Sequence, residues 1–384
     1  MPKLQHLLRA SLAPNARFPA ASGSNDHYLG LDFLRGVAAL AVVWYHSSDR
    51  FNLPYLFPHG YLAVDFFFAL SGFVIARAYQ DRIRSGRMLI SQFVLMRAIR
   101  LMPLIILGTL VAAAGEFARP GVADQQQHLI DVIIAVALSF FLIPTLYENS
   151  LTSTVFPLNG PVWSLFLEVV ANGAFAVWAW ARLRLLALAL VCAMSVVGII
   201  FGAYISGNVD FGAVRNDFWF GFARVGWSFS LGILLFRFRD QAPQGRFIFP
   251  AGLLIAVFLT PNLNSLNVGF DVACVLFVMP WIVWAASSAQ FGSKGQRWSA
   301  WSGDLSYPIY ALHYPLLRFF AAGGAVLQLS YVQRIGVVSL ATIIILIFSV
   351  ATYILFDAPV RRYLSQKMKL RALTTGSTNY QLNQ

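Results

Sequence analysis

The residues fit for chemistry in this sequence are charged and protic side chains set inside apolar runs. In "LDFLRGVAALAVVWYH", Leu31–His46, the side chains of Asp32, Arg35 and His46 interrupt a stretch of Leu, Val, Ala and Trp. Arg35 and His46 are 11 residues apart. On a helix they project within about 20° of each other and lie about 16 Å apart along the axis. One helix face would therefore carry a guanidinium at one depth and an imidazole at another. Asp32 precedes Arg35 by one turn, the spacing of an i,i+3 ion pair. An imidazole is suited to take and return protons near neutral pH. A guanidinium keeps its charge and binds phosphate or carboxylate through two parallel N–H bonds.

Other positions have the same character. "RAIRLMP" puts Arg97 and Arg100 one turn apart, a pair suited to a ligand with several phosphate oxygens; ordinary anchoring in a basic loop is the competing explanation. In "NGPVWSLFLEVVAN", Glu168 lies too deep to reach an interface, so it must be protonated, paired or functional. In "GYLAVDFFFALSGFVIARAY", Asp65 is an interfacial or orienting group, while Ser71 and Gly72 read first as packing positions. "GDLSYPIYALHYPLLRFF" sets Tyr307, Tyr310 and His313 on neighbouring parts of one helix face, where an aromatic interface belt competes with a pocket. Arg224 and Arg318 are further candidate pocket charges. Snorkelling would explain Arg35 and His46 one at a time, but not their common face.

The elements that position these groups follow from composition. The chain is 58% hydrophobic and 11% charged, against about 25% charged in soluble domains, and apolar runs of about 20 residues recur from end to end. Backbone in lipid must close its own hydrogen bonds, so the expected fold is an all-α polytopic membrane protein. Runs such as "SLATIIILIFSVATYILF" lack the alternation of a β-barrel. A net charge of +12 would suit nucleic acid, but the basic residues sit in short loops beside apolar runs. The expected partner is the bilayer and not nucleic acid. Cys192 and Cys274 fall inside apolar runs with no metal-ligand spacing, so packing is their expected role and no metal is expected.

Loop charge gives a topology. Basic residues in 77–100, 182–184, 237–246, 294–297 and beyond 361 mark cytoplasmic loops. Eleven apolar stretches alternate correctly only if either 101–118 or 129–147 fails to cross. About ten transmembrane helices remain, with one partial or re-entrant segment and both termini cytoplasmic. Residues 1–28 then form a basic cytoplasmic arm rather than a signal peptide. Residues 29–362 form the membrane-embedded domain, and 363–384 a polar cytoplasmic tail.

Taken jointly and in order, "LDFLRGVAALAVVWYH", "GYLAVDFFFALSGFVIARAY", "RAIRLMP", "VWSLFLE" and "LSYPIYALHYPL" resemble the acyltransferase 3 family over roughly 28–362. These are integral-membrane acyltransferases that modify bacterial surface and secreted saccharides. The family's first-helix Arg and His fall on Arg35 and His46, its Arg-x-x-Arg on Arg97 and Arg100, its fifth-helix Glu on Glu168, and its late Tyr and His on Tyr310 and His313. At "FDAPVRR" the sequence departs, with Asp357 where Glu is expected before the proline. The resemblance implies a bacterial inner-membrane enzyme with no bound cofactor. Its donor substrate would be cytoplasmic acyl-CoA, with acetyl-CoA expected, and its acceptor a hydroxyl of a saccharide or lipid-linked saccharide. His46 would be the general base and Glu168 an orienter or proton relay. Arg35, Arg97, Arg100, Asp65, Tyr310 and His313 would contact substrates. The alternative is a transporter of a saccharide-lipid or an anion, with the buried charges as its pathway. The sequence lacks the inverted repeat with paired broken helices that transport would favour.

Overall fold

A computed structural model describes residues 28–119, 124–243, 247–326 and 328–368. The expected basic arm, apart from Tyr28, and the tail beyond Met368 lie outside these residues. Among the described residues the structure is helical, with no strand and one isolated bridge between Thr154 and Val214. The helices are α1 (Leu29–Phe51), α2 (Ala63–Arg84, entered through the 3-10 turn Gly60–Leu62), α3 (Ile90–Phe117), α4 (Gln125–Phe140), α5 (Val162–Trp180) and α6 (Leu185–Ser206). There follow α7 (Phe220–Arg237), α8 (Ile248–Leu259) and α9 (Asn267–Ala273), which passes through a π turn (Cys274–Val278) into α10 (Met279–Ala286). The last are α11 (Ser293–Val326) and α12 (Tyr331–Thr352), continued by a second π turn (Tyr353–Asp357).

Among the described residues, seven stretches are long and apolar enough to cross a membrane: α1, α2 with its entry turn, α3, α5, α6, the α9–α10 unit and α12 with its continuation. The other helices are short or more polar; α8 has 12 residues and α4 has 16. Polarity is inverted relative to a soluble protein. Asp65, Arg224, Asp271 and His313 are fully buried, while Met194, Val197, Phe201 and Tyr204 of α6 face outward.

Contacts sort the helix termini into two ends. At the arginine-rich end, Arg182 donates to the carbonyl of Arg84 (3.0 Å), and Trp284 to that of Phe238 (3.0 Å). At the far end, His59 meets the carbonyl of Thr260 (2.9 Å) and Tyr45 donates to Asp210 (2.5 Å). One expected ambiguity resolves here. Glu116, at the end of α3, pairs with Arg318, which also donates to the carbonyls of Pro157 (2.9 Å) and Leu158 (3.3 Å) just ahead of α5. Asp131 of α4 accepts from the Ser150 amide at 2.7 Å. So α4 and the loop after it leave and rejoin the same end of the bundle. The segment that fails to run its length is 129–147, not 101–118.

Two local features set the helices close. A Cβ on Gly72 would run into the carbonyl of Phe229, and one on Gly232 into that of Ala69. Only glycine permits this approach of α2 and α7. Pro315 in α11 has no N–H for the carbonyl of Ala311 one turn back. Asn159 supplies the missing donor, its Nδ2 lying 2.9 Å from that oxygen. A neighbour restores the backbone bond, as helices in lipid require.

Candidate functional site

The site is best built from His46, five residues before the end of α1. The helix stops at Asn52 (φ 48°), where the Leu53 amide donates back to the carbonyl of Ser48 (3.0 Å). His46 Nδ1 lies 3.0 Å from the carbonyl of Val42 and 3.3 Å from Nε2 of His313. His313 is completely buried, and its Nδ1 lies 2.8 Å from the carbonyl of Tyr310 and 3.2 Å from that of Ile309. Carbonyls only accept, so His313 Nδ1 carries a hydrogen. With His313 neutral, its Nε2 is an acceptor, and His46 Nδ1–H is the donor between it and Val42. This network assigns the tautomers. His46 Nε2 is left with its lone pair and no hydrogen-bond partner among the described residues. The ring stands edge-on between Tyr45 and Tyr314, each 5.4 Å away.

A line of polar side chains runs from this pair toward the arginine-rich end. Tyr310, one turn before His313, shares a 2.6 Å hydrogen bond with Ser164 of α5. Glu168 lies one turn further along α5. Its Oε1 accepts from Ser71 (2.7 Å) and from Arg97 (2.7 Å). The two side chains of the ion pair are mostly buried, at 9% and 16% exposure for Arg97 and Glu168. The Nε of Arg97 is buried without a partner. Arg35 donates to Asp32 at 3.3 Å and lies within electrostatic reach of Arg100 and Glu168. Among the described residues, Arg100 makes no ion pair or side-chain hydrogen bond.

The structure brings some expected residues together and separates others. His46 meets His313, Arg97 meets Glu168, and Arg35 meets Asp32. No hydrogen bond joins His46 to Glu168; the Tyr310–Ser164 pair lies between. Asp65 is fully buried, with Oδ1 and Oδ2 accepting from Arg224 Nε (3.2 Å) and Nη2 (2.6 Å). Arg224 also donates to the carbonyls of Phe211 (2.9 Å) and Tyr61 (3.2 Å), so this pair braces α2 against α7 and the loop before it. Arg318 is likewise occupied by Glu116. Gly72 packs as its type suggested, but Ser71 beside it is a hydrogen-bond donor to Glu168.

Several polar residues of the interior escaped sequence reasoning. Asp271 accepts from Tyr61 (2.7 Å) and from the Val209 amide (3.2 Å), and His59 lies 3.5 Å from its other oxygen. A lone carboxylate in the apolar run "VGFDVACVLFV" is the same signal that marked Glu168. Asp210 gave no signal, being one polar residue in a loop. Buried Asp357 pairs with Arg361 at the arginine-rich end, within electrostatic reach of Arg100. A cavity of about 150 Å³ bordered by Gln80, Trp178 and Arg237 opens elsewhere, and another of about 430 Å³ is bordered by Met194 and Phe222. Neither touches the polar line, so buried chemistry and not empty volume locates the site.

The sequence model of the acyltransferase 3 family, described as an acyltransferase domain, matches residues 28–354. "Protein 2 in picA locus" of Rhizobium radiobacter is 35% identical over 186 residues, which are 46% of this chain and 95% of that protein. No solved structure matches.

Proposed function

Because the chain belongs to the acyltransferase 3 family, we propose that it is a membrane O-acyltransferase that moves an acyl group, acetyl being the expected one, from acyl-CoA to a saccharide hydroxyl. The observation that carries the proposal is the His46–His313 contact at 3.3 Å, which leaves Nε2 of His46 free as a base. In this reading a hydroxyl gives its proton to Nε2 as its oxygen attacks the thioester carbonyl. The C–O bond forms, the C–S bond breaks, and His46 returns the proton to the departing CoA thiolate. His313 holds the imidazole in the required tautomer, as an orienting partner does in other acyl-transfer sites. Positive charge building on His46 is met by Asp210 and Asp49, both within its electrostatic reach.

The donor fits the other end of the polar line. Arg100 and Arg35 would hold the phosphates of acyl-CoA, and Glu168, fixed by Ser71, would hold Arg97 beside them. Arg35 and His46 are separated by about 16 Å along α1, a gap for the extended arm of CoA to bridge to the thioester. The arginine-rich end would face the cytoplasm of a bacterial inner membrane. With α4 returning to its own end, α1 to α3, α5 to α8, the α9–α10 unit, α11 and α12 would make ten crossings.

The test is reconstitution in liposomes with labelled acetyl-CoA. The proposal expects free CoA to appear only when a saccharide acceptor is supplied, with label entering the saccharide. Saccharide movement across the bilayer without CoA release would favour a transporter and overturn the proposal.

A further inference from the structure

His46 lies toward the far end of the bundle, beside a cluster of tyrosines and aspartates. Tyr45 packs against His46, against Tyr55 (ring centres 5.3 Å apart) and against Tyr61 (5.6 Å). Tyr55 sits in the loop after α1 and is 42% exposed. Asp49 and Asp210 are exposed as well, and both lie within electrostatic reach of His46 and of Tyr55. Burial, and then the charges of Asp49 and Asp210, push the Tyr55 phenol up, so it stays a neutral hydroxyl. Tyr45 donates to Asp210, whose remaining lone pairs have no side-chain donor among the described residues. The carboxylate of Asp49 has no partner there at all.

This is not the arrangement of an interface belt, whose rings sit individually at headgroup depth. Tyr45 is turned inward, onto the imidazole and onto a loop that is itself pinned. The Val209 amide, next to Asp210, is held by Asp271. Asp271 in turn is fixed by Tyr61 and His59. His59 has its two ring nitrogens against acceptors, the carbonyl of Thr260 (2.9 Å) and Oδ1 of Asn267 (3.0 Å). Nε2 also lies 3.5 Å from Oδ1 of Asp271. A buried cluster of polar groups thus holds Asp210 in place beside Tyr45.

A sugar ring has an apolar C–H face and a rim of hydroxyls. Aromatic faces suit the first, and carboxylate acceptors suit the second. We propose that Tyr55, Asp49 and Asp210 form an acceptor subsite that takes a neutral sugar ring and presents one of its hydroxyls to Nε2 of His46. Two carboxylates with no cation paired to them among the described residues repel acidic sugars, so the subsite discriminates by charge as well as by shape. This rests on the reading of the chain as a saccharide acyltransferase with His46 as its base.

The experiment uses the reconstituted protein, labelled acetyl-CoA, and envelope oligosaccharides of the producing cell separated into neutral and acidic pools. Wild type is expected to label the neutral pool. Tyr55→Ala should raise the acceptor KM about three- to tenfold, the worth of one aromatic contact, with the acyl-CoA Kd unchanged. Tyr55→Phe should retain the wild-type KM, because the ring face is kept. Asp49→Asn should relax the preference for neutral over acidic acceptors. An unchanged acceptor KM in Tyr55→Ala, or wild-type preference for the acidic pool, overturns the subsite while transfer itself persists. Absence of transfer to either pool overturns the underlying function and the subsite with it.

Discussion

Arg97 and Glu168, 71 residues apart in sequence, form a 2.7 Å ion pair between α3 and α5. The two residues had separate attractions: a guanidinium for phosphates, and a carboxylate too deep for water. The contact makes each a condition of the other. Ser71 donates to the same oxygen, so the carboxylate is held from two sides. Removing either partner leaves a charge in a mostly buried position, while removing both does not. A double-mutant cycle with Arg97→Met and Glu168→Leu, read by thermal unfolding in detergent, should give a coupling of about 0.5–3 kcal/mol. Additive losses would mean that the pair is incidental.

Of Arg35, Arg97 and Arg100, Arg100 is the one that no described carboxylate contacts directly, so on the proposed function the donor's phosphates would fall to it first. Arg100→Gln should weaken acyl-CoA binding about tenfold or more, since hydrogen bonds to charged groups are worth about 1.5–3 kcal/mol. Stability should change little, because no described ion pair or side-chain hydrogen bond is lost. Titration of the purified variant with acyl-CoA decides this, and wild-type affinity would remove Arg100 from the donor site.

Asp65 and Arg224 are both completely buried and bonded to each other through two atoms apiece. Asp65→Asn leaves the guanidinium without its counter-charge, and the expected loss is about 3–5 kcal/mol of stability. Unfolding in detergent measures it. A variant of normal stability that instead showed a raised acceptor or donor KM would return Asp65 to a substrate-binding role.

The return of α4 to its own end of the bundle makes a topological prediction. In a background lacking Cys192 and Cys274, single cysteines at 54–58 and at 148–152 should react with an impermeant reagent from the same side of the membrane. Cysteines at 85–88 should react only from the other side. Labelling of 54–58 and 148–152 from opposite sides would mean that 129–147 crosses.

How much of this was legible in the sequence depends on the range of the interaction. The common face of Arg35 and His46 follows from helical period alone, and the structure keeps them on one polar line. Arg97 and Arg100 look equivalent in "RAIR"; only the fold shows that one meets Glu168 and the other meets no carboxylate. The non-crossing segment appeared as a conflict between loop charges, but the choice of 129–147 needed the contacts of Glu116, Arg318 and Asp131. Tyr45 and Asp210 were invisible as a pair, being 165 residues apart with no local pattern to link them. Ser71, the donor to Glu168, was hidden because a serine beside Gly72 is small enough to read as packing.

The central claim is that His46 takes the proton of the acceptor hydroxyl, and it is tested most directly by acyl transfer in His46→Ala. The measurement is the rate of labelled acyl transfer to saccharide at saturating acetyl-CoA, with acyl-CoA affinity determined on the same preparation. General-base catalysis is typically worth about 10²–10⁴-fold, so the rate should fall by that factor while the Kd for acyl-CoA stays at the wild-type value. A fall of about twofold or less, with the protein folded and the donor bound, would contradict the claim.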